Sequence, residues 1–243
     1  MTNGSSGGKA ASSSDLLRNF GGGLVISCQA PDGHPLARPD LIAVMATCAE
    51  LAGAVGLRIC GADNIRAVKQ VTHLPVIGLD KVPGKHRPLI TPSYEHAARL
   101  VEAGADIVAL EVTAEGAPDP GAMVRRVTED LRTPVMADVS TLDEGLMAWN
   151  AGAAVVGSTL SGYTAYTGPT PDHPDIALVK QLYGHGLHVA AEGRYRTEAQ
   201  VAEAFGAGAS FVVVGGAITD PVAIARRLVA ATSLSRDRDR GTQ

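Results

Sequence analysis

Short apolar runs recur along this chain, and segments with the polar and apolar spacing of helices separate them. Four of the runs directly follow the tripeptide Ala-Gly-Ala, at residues 52–54, 103–105, 151–153 and 207–209. A glycine just past a helix is a favoured C-cap, and a short β-branched run after it is typical of a buried parallel strand. A second series of runs lies midway between these copies. The two series together predict eight strands, near Leu24, Val55, Val76, Ile107, Val135, Val155, Val189 and Phe211.

The intervening segments predict amphipathic helices, as at residues 93–102, 141–150 and 197–205. Two of them begin with a capping box, in which Thr141 is followed three residues later by Glu and Thr197 by Gln. Strict alternation of strands and helices means a parallel sheet, and 243 residues are close to the roughly 250 of a closed barrel. We therefore predict a single-domain (β/α)8 TIM barrel of the α/β class. An open, doubly wound sheet is the alternative, disfavoured because no Gly-x-Gly-x-x-Gly motif follows the first strand.

The two ends of the chain differ in composition from the repeating part. Residues 1–20 are rich in Gly, Ser and Asn and lack the apolar region of a signal peptide, so we expect a disordered leader there. The barrel is expected over residues 21–233. Residues 234–243 contain an alternation of Arg and Asp and are expected to form a disordered, solvated tail.

Composition argues against several classes of function. With 45% hydrophobic and 19% charged residues, the chain has the composition of an ordinary globular protein. The net charge of −4 and the lack of a long basic run argue against nucleic acid or an anionic membrane as a partner. No stretch approaches the roughly 18 apolar residues of a membrane span. Three scattered cysteines are too few for a disulfide framework or a zinc site, which favours reduced thiols and a cytoplasmic location.

Polar residues at the C-terminal ends of barrel strands are the candidates for catalysis. Here they are Gln29, Arg58, Asp80, Lys81, Glu111, Asp138, Ser158, Thr159 and Glu192. Charged side chains are costly to bury unpaired, so any one of these could be a buried salt bridge or a strand-end cap. The convergence of so many on one rim of the barrel nevertheless predicts a site.

Lys81 is the only one of five lysines that lies at a strand end. There it can act as a base once burial lowers its pKa, as a Schiff-base nucleophile, or as a fixed positive charge. The residues alone leave all three roles open, and the second would make the chain a lyase or an aldolase.

The loops after the seventh and eighth strands are a common phosphate site in barrels of this kind. Glycines in Glu192-Gly-Arg and in Val214-Gly-Gly-Ala-Ile-Thr can bring backbone N–H groups around an anion. The predicted phosphate-binding residues are Gly193, Arg194, Gly215 and Gly216. The loop at residues 162–173 is longer than usual and is a candidate lid or dimer contact.

Several of these motifs resemble those of the N-acetylmannosamine-6-phosphate 2-epimerases of sialic-acid catabolism. The resemblance covers about residues 22–229 and is carried by Ile26-Ser-Cys-Gln-Ala, Ala54-Val-Gly-Leu-Arg, Leu74-Pro-Val-Ile-Gly-Leu-Asp-Lys and Met136-Ala-Asp-Val-Ser. Further motifs are Gly157-Ser-Thr-Leu-Ser-Gly-Tyr-Thr-Ala-Tyr-Thr, Ala191-Glu-Gly-Arg and Val214-Gly-Gly-Ala-Ile-Thr. The long loop after the sixth strand and the final Gly-Gly-Ala-Ile-Thr are the most specific of them.

The resemblance implies catalytic residues at Lys81 and Glu192 and substrate-binding residues at Gln29, Arg58 and Asp138. It implies an isomerase that interconverts N-acetylmannosamine 6-phosphate and N-acetylglucosamine 6-phosphate through the proton at C2, with no metal or organic cofactor. The expected partners are a small phosphorylated amino sugar and a second copy of the chain, as a homodimer. A Schiff-base aldolase or lyase on a phosphosugar and a non-catalytic phosphosugar-binding barrel are the alternatives.

Two positions depart from the pattern of that family. The fourth strand ends in Glu111 where the family usually has Asp. Asp220 stands before Pro221 where the family usually has Arg, which brings a negative charge to the predicted phosphate site. We expect weaker phosphate binding but a retained preference for the phosphorylated sugar, because Asp220 can instead cap the helix that starts at Pro221.

Overall fold

Eight parallel strands close into one barrel in the computed structural model of the chain, which describes residues 20–168 and 172–232. In chain order the strands are β1 Leu24–Cys28, β2 Gly56–Cys60, β3 Val76–Leu79, β4 Lys81–Val82, β5 Leu89–Ile90, β6 Ile107–Glu111, β7 Val135–Asp138, β8 Val155–Gly157, β9 Val189–Glu192 and β10 Phe211–Val214. The barrel order is β1-β2-β3-β6-β7-β8-β9-β10, and β4 and β5 form a separate antiparallel hairpin. The predicted barrel is confirmed.

Helices follow the barrel strands and form the outer layer. They are α1 Pro39–Leu51, α2 Ala62–Lys69, α3 Tyr94–Glu102, α4 Pro120–Asp130, α5 Leu142–Asn150, α6 Ile176–Gly184, α7 Glu198–Gly206, α8 Gly216–Thr219 and α9 Pro221–Ala230, with a 3-10 turn at Ser158–Leu160. Both predicted capping boxes form. Thr141 accepts the backbone N–H of Glu144, and Thr197 accepts that of Gln200, each with the reciprocal side-chain bond.

Side chains alternate between the two sides of each strand, so one set faces the barrel interior. Near the N-terminal ends of the strands this inner set is apolar and buried, and it consists of Val25, Ile77, Ile107, Ala109, Met136, Val155, Ala190, Phe211 and Val213. Further along several strands the next inward positions are polar. The same alternation therefore produces a packed barrel floor and a polar mouth at the C-terminal ends of the strands.

Phe20, the last residue of the predicted leader, packs into the barrel interior. Phe20 is fully buried in the inner cluster, and its ring lies 5.2 Å from the ring of Phe211. Gly56 makes room for it, because a Cβ there would come within 2.2 Å of the Phe20 ring. Phe20 thus closes the floor of the barrel. The rest of the predicted leader, residues 1–19, and the predicted tail lie outside the described residues.

The hairpin of β4 and β5 is not among the eight predicted strands. It occupies the connection between β3 and α3, and the chain bends at residues 85–87, with Gly84 packed so closely that a Cβ there would come within 2.3 Å of the carbonyl oxygen of Arg87. The hairpin carries Lys81 at its first position. This residue therefore lies beyond the end of its barrel strand, on a separate ladder.

The last helix packs differently from the others. Among the ten residues of α9 none is buried, and Leu228 and Val229 are 64% and 61% exposed. Such apolar exposure on a helix of a barrel is unusual, because the helices of the outer layer normally cover the strands with their apolar face.

Nowhere in residues 20–168 and 172–232 is a helix long and apolar enough to cross a membrane.

Candidate active site

Arg58 lies at the centre of the polar mouth. It faces inwards from β2, and its side chain is 2% exposed. Nη2 lies 2.5 Å from Oδ2 of Asp138 at the end of β7, and Nη1 pairs with Oε1 of Glu192 at the end of β9. Burial by itself lowers the pKa of Arg58, but the two carboxylates raise it above its ordinary value. A charged guanidinium thus crosses the barrel and joins its second, fifth and seventh strands.

Asp138 is the most deeply buried acid of the mouth. Its side chain is inaccessible to solvent, and burial raises its pKa to about 7 against the opposing effect of Arg58. The hydroxyl of Thr159 donates to Oδ1 at 2.6 Å. Gly157 leaves the space for this pair, since a Cβ there would approach Oδ1 of Asp138 to 3.2 Å. Asp138 is therefore held between Arg58 and Thr159.

Glu192 is held by its side chain and by its backbone. Its side chain is 14% exposed, and its carboxylate pairs with Arg58. The carboxylate also lies 3.3 Å from the hydroxyl of Thr159, and this hydroxyl lies closer to Asp138, at 2.6 Å. The hydroxyl of Ser158 donates to the backbone carbonyl of Glu192 and accepts its backbone N–H. The 3-10 turn after β8 thus fixes the end of β9 and leaves part of the Glu192 carboxylate open to the mouth.

Lys81 faces the same mouth from the first position of β4, two residues after the third barrel strand ends. By accessible surface the residue is exposed at the rim of the mouth. Partial desolvation by the surrounding protein lowers the pKa of Lys81 from its ordinary value, Cys60 opposes the change, and Arg58 adds to it. Glu192 and Asp138 also act on the Lys81 charge. The mouth therefore holds two basic and two acidic groups within electrostatic reach of one another.

Gln29 lies at the edge of the mouth, after β1. Its Nε2 donates to the hydroxyl of Ser27 at 2.7 Å. Its Oε1 is buried and has no hydrogen-bond partner among the described residues. A buried amide oxygen is normally satisfied, so this atom is suited to accept a hydrogen bond from a bound molecule.

Glu111 reaches the mouth from β6 but makes its bonds away from the Arg58 cluster. Arg87 of the hairpin binds both of its oxygens, at 2.6 and 3.1 Å, and Thr113 and the backbone of Ile90 supply further donors. Both carboxylate oxygens are therefore occupied by the protein itself.

The glycines predicted to bind phosphate lie at the ends of β9 and β10. Gly193 has a φ of 110°, which favours glycine, and Gly215 is the residue before the short helix α8. The first turn of α8 leaves the N–H groups of Gly216 and Ala217 without a partner inside the helix. The threonine at the end of α8, Thr219, donates to the backbone of β1 at 2.8 Å and fixes the helix to the barrel.

Arg194 lies on the outer side of this region. Its Nε donates to the carbonyl of His173 and its Nη1 to that of Ser161, both at 2.7 Å. The guanidinium also lies over the ring of Tyr163, 5.2 Å from the ring centre. These contacts tie the loop after β8 to β9, and a role of Arg194 in phosphate binding stays a prediction.

Asp220 is the N-cap of α9. Its Oδ1 accepts the backbone N–H of Ala223 at 2.8 Å and lies 3.5 Å from Nε2 of His34. The prediction that Asp220 caps the last helix is confirmed. The backbone N–H of Leu36 donates to Nδ1 of His34 at 3.1 Å and holds the ring beside Asp220.

The described part of the long loop after β8 is bonded to two neighbouring strand-end loops. The hydroxyl of Tyr166 donates to Glu144 and accepts the N–H of Ala114, and Glu115 accepts the N–H of Ala165. Residues 169–171 of this loop lie outside the described residues, and its role as a lid or dimer contact stays a prediction.

Sequence reasoning did not single out Cys60 or Arg87. Cys60 ends β2 beside Lys81; burial raises the pKa of its thiol, while the charge and the backbone N–H of Lys81 lower it. A signal for Arg87 was available, because the fourteen residues 80–93 are long for a βα connection and contain Pro83-Gly84, a turn signal.

This geometry defines the class of the protein. It is a (β/α)8 barrel with an acid–base cluster at the C-terminal mouth, where a lysine of lowered pKa faces two carboxylates that share one buried arginine. Such a cluster can remove and return protons on a small polar molecule.

Comparisons with known proteins identify the family. The family model for N-acetylmannosamine-6-phosphate epimerases matches residues 42–234. A curated N-acetylmannosamine-6-phosphate 2-epimerase of Klebsiella pneumoniae is 48% identical over 199 residues, which are 82% of this chain and 84% of that protein. One of Escherichia coli K12 is 44% identical over 199 residues, with 82% and 86% covered. The chain belongs to the N-acetylmannosamine-6-phosphate 2-epimerase family.

Solved structures agree with this assignment. The N-acetylmannosamine-6-phosphate 2-epimerase of Clostridium perfringens superposes with a TM-score of 0.85 at 32% identity, covering 94% of this chain and 100% of that chain. Thiamine phosphate pyrophosphorylase of Pyrococcus furiosus superposes with a TM-score of 0.59 at 14% identity, covering 87% and 93%. The second likeness shows the fold alone.

Proposed function

We propose that the chain interconverts N-acetylmannosamine 6-phosphate and N-acetylglucosamine 6-phosphate by inverting C2. In the ring-opened sugar C2 lies next to the C1 aldehyde, so its proton can leave to give an enolate. Return of a proton to the opposite face completes the inversion. The reaction moves only protons, so it needs neither a redox cofactor nor a group carrier.

The observation that carries the proposal is the arrangement of Lys81 and Glu192. Lys81 follows the third strand of the barrel order and Glu192 ends the seventh, four strands away, so they face each other across the mouth. Inversion needs removal of the proton from one face of C2 and its return to the other, which two opposed groups accomplish most simply; a single base, with the substrate's own groups moving the proton, is the alternative. Lys81 exchanges the C2 proton on one face, and Glu192 acts on the other face or assists ring opening.

The remaining polar groups are suited to hold the sugar. Arg58 is charged, and it and Gln29 would bind sugar oxygens and the acetamido group. The unpartnered Oε1 of Gln29 supports this role, because an acetamido N–H would satisfy it. Asp138 would bind a hydroxyl. The phosphate would bind to the backbone N–H groups of Gly193, Gly215 and Gly216, with Arg194 as the nearby cation.

Incubation with N-acetylmannosamine 6-phosphate in D2O tests the function. We expect formation of the C2 epimer together with incorporation of deuterium at C2. Borohydride added with substrate should trap no adduct on Lys81, whereas a Schiff-base lyase or aldolase would give one. A phosphosugar-binding barrel without activity would incorporate no deuterium at all.

The charge of Asp220 is expected to weaken phosphate binding. Asp220→Asn keeps an oxygen that can cap α9 and removes the charge, so KM for the phosphorylated sugar should fall several-fold, as expected for a partly solvated charge of about 1 kcal/mol. Asp220→Arg adds a cation but removes the cap, which costs about 1 kcal/mol of stability. We expect a larger fall in KM together with a lower melting temperature.

Steady-state kinetics on both sugars check this expectation. Wild-type protein should prefer N-acetylmannosamine 6-phosphate over N-acetylmannosamine. An equal or higher kcat/KM on the free sugar would contradict it and would mean that the chain has shifted to unphosphorylated substrates.

A homodimer is the proposed assembly. The apolar side chains on α9 support it, because exposed apolar patches of this kind mark protein interfaces.

The cytoplasmic location, argued from three cysteines, stays a prediction; all three are free in the structure.

The C-terminal helix tests the assembly. Light scattering should give about twice the chain mass of 24.9 kDa for the wild type. A double change of Leu228 and Val229 to Asp should give monomers, because it would place two charged side chains in the proposed apolar contact between the subunits. Val71→Asp, which alters an exposed apolar residue between α2 and β3, is the matched control. A monomeric wild type would refute the dimer.

A further inference from the structure

Lys81 is carried by a hairpin rather than by a barrel strand. β3 ends at Leu79, and Lys81 begins β4, which pairs with β5 so that Lys81 lies opposite Ile90 and Val82 opposite Leu89. An isolated two-stranded ladder is marginally stable at best in water, and this one has only two residue pairs. Thr91, which follows β5, also binds the residue before Lys81: its N–H donates to the carbonyl of Asp80 at 2.7 Å, and its hydroxyl accepts the N–H of Asp80 at 3.0 Å. The position of the Lys81 backbone therefore depends on Thr91 and on what holds β5.

Glu111 holds β5 from the neighbouring barrel strand. Its carboxylate is 1% exposed, and Oε2 accepts the backbone N–H of Ile90, the partner of Lys81, at 3.0 Å. Nη1 and Nη2 of Arg87 bind Oε2 and Oε1 at 3.1 and 2.6 Å, and the hydroxyl of Thr113 donates to Oε1 at 2.6 Å. The carboxylate is saturated by protein donors, so its contribution to the site is mechanical.

Arg87 secures the returning side of the same hairpin. It lies two residues before β5, and its side chain is 14% exposed. The hydrogen bonds that it donates to Glu111 raise its pKa, so the guanidinium stays charged. Nη2 also donates to Glu115, whose other oxygen accepts the N–H of Ala165 in the loop after β8. The guanidinium thus fixes the hairpin to β6 and, through Glu115, to the loop after β8.

We propose that Arg87 and Glu111 form a clamp that positions Lys81 for proton exchange at C2. The clamp rests on the proposed role of Lys81. A two-pronged Arg–carboxylate contact fixes both the distance and the orientation of the hairpin relative to β6. The backbone position of Lys81 determines where its ammonium group lies. A displacement of a catalytic group by about 1 Å costs on the order of 100-fold in rate. Arg87 and Glu111 are then positioning residues.

Two variants test the clamp. Arg87→Met keeps the apolar stem and removes the two-pronged contact. The double variant Arg87→Met with Glu111→Gln also removes the buried carboxylate charge that would lack a partner, so it keeps the test independent of folding. In both, kcat on N-acetylmannosamine 6-phosphate should fall by about 10- to 100-fold, with KM nearly unchanged.

The pH profile separates positioning from a general loss of structure. A released hairpin admits water to Lys81, so the pKa of Lys81 rises towards its ordinary value. In the direction in which Lys81 is the base, the rising limb of kcat with pH should therefore move to higher pH. Arg66→Met, an exposed arginine on α2 that pairs with Asp63, should change neither the rate nor the profile.

Three results would overturn the clamp. They are an unchanged kcat in the folded double variant, an unmoved pH limb, and a rise in KM at constant kcat, which would make Arg87 a substrate-binding residue. Lys81→Met distinguishes this failure from a failure of the proposed mechanism. If Lys81→Met is active, the role of Lys81 is refuted; if it is inactive while Arg87→Met is fully active, only the clamp is refuted.

Discussion

Lys81→Met and Glu192→Gln are each expected to lower the rate of epimerisation by about 10²- to 10⁴-fold, the usual contribution of a positioned acid or base. Each variant leaves one of two opposed groups in place. If each group serves one face of C2, the remaining group still exchanges the C2 proton of the epimer whose proton faces it. Each variant should therefore incorporate deuterium into only one of the two sugars, and the two variants into opposite ones.

Proton NMR of both sugars in D2O measures this exchange without requiring turnover. Glu192→Gln keeps the size of the side chain and an oxygen for Thr159, and Lys81 lies at an accessible rim, so both variants should fold. Loss of exchange from both sugars in both variants would contradict two independent bases and would favour a route in which the two groups act together. Near-native epimerisation in either variant would remove that residue from the mechanism.

Arg58→Met is expected to destabilise the fold by about 3–5 kcal/mol and to abolish activity. The reason is that Arg58 is the shared partner of Asp138 and Glu192, and the first of these is completely buried. Removing the cation leaves carboxylates in a region from which water is excluded. Chemical denaturation with detection by circular dichroism measures the free energy of unfolding.

The same variant should show a defined pH dependence. Burial already raises the pKa of Asp138 to about 7, and without Arg58, which lowers it, the pKa rises further. When a carboxyl group has a higher pKa in the folded state than in the unfolded state, the folded protein loses stability as the pH rises through the folded-state pKa. The cost of Arg58→Met should therefore be larger at about pH 8 than at about pH 5. Adding Asp138→Asn and Glu192→Gln should recover most of the loss; a pH-independent cost would show that Asp138 is not the group responsible.

The eight barrel strands and two capping boxes were predictable from sequence because their signals are local. Ala-Gly-Ala before an apolar run, or Thr three residues before Glu144 or Gln200, sets the backbone within a few residues. The hairpin of β4 and β5 was missed because its strands have two residues each, too short for any periodicity to appear. Phe20 was missed because a single apolar residue at the end of a polar segment carries no pattern.

The candidate site divides in the same way. The sequence predicts that five polar residues share one mouth, because parallel strands of a barrel bring their C-terminal ends to one rim. These residues are Gln29, Arg58, Lys81, Asp138 and Glu192. Which of them touch does not follow. Arg58 lies 80 residues from Asp138 and could have paired with any carboxylate on the rim.

Sequence by itself thus determined the barrel, its polar rim and the residue types available for proton transfer, since these depend on strand periodicity and on neighbours along the chain. Only the tertiary structure decided that Arg58 crosses the barrel to two carboxylates, that Glu111 is engaged by Arg87, and that Asp220 accepts from Ala223 at the start of α9. Ion pairs form between side chains that the closed barrel brings together. Their partners are set by reach, burial and competition among several charges at one rim, none of which is a property of the local sequence.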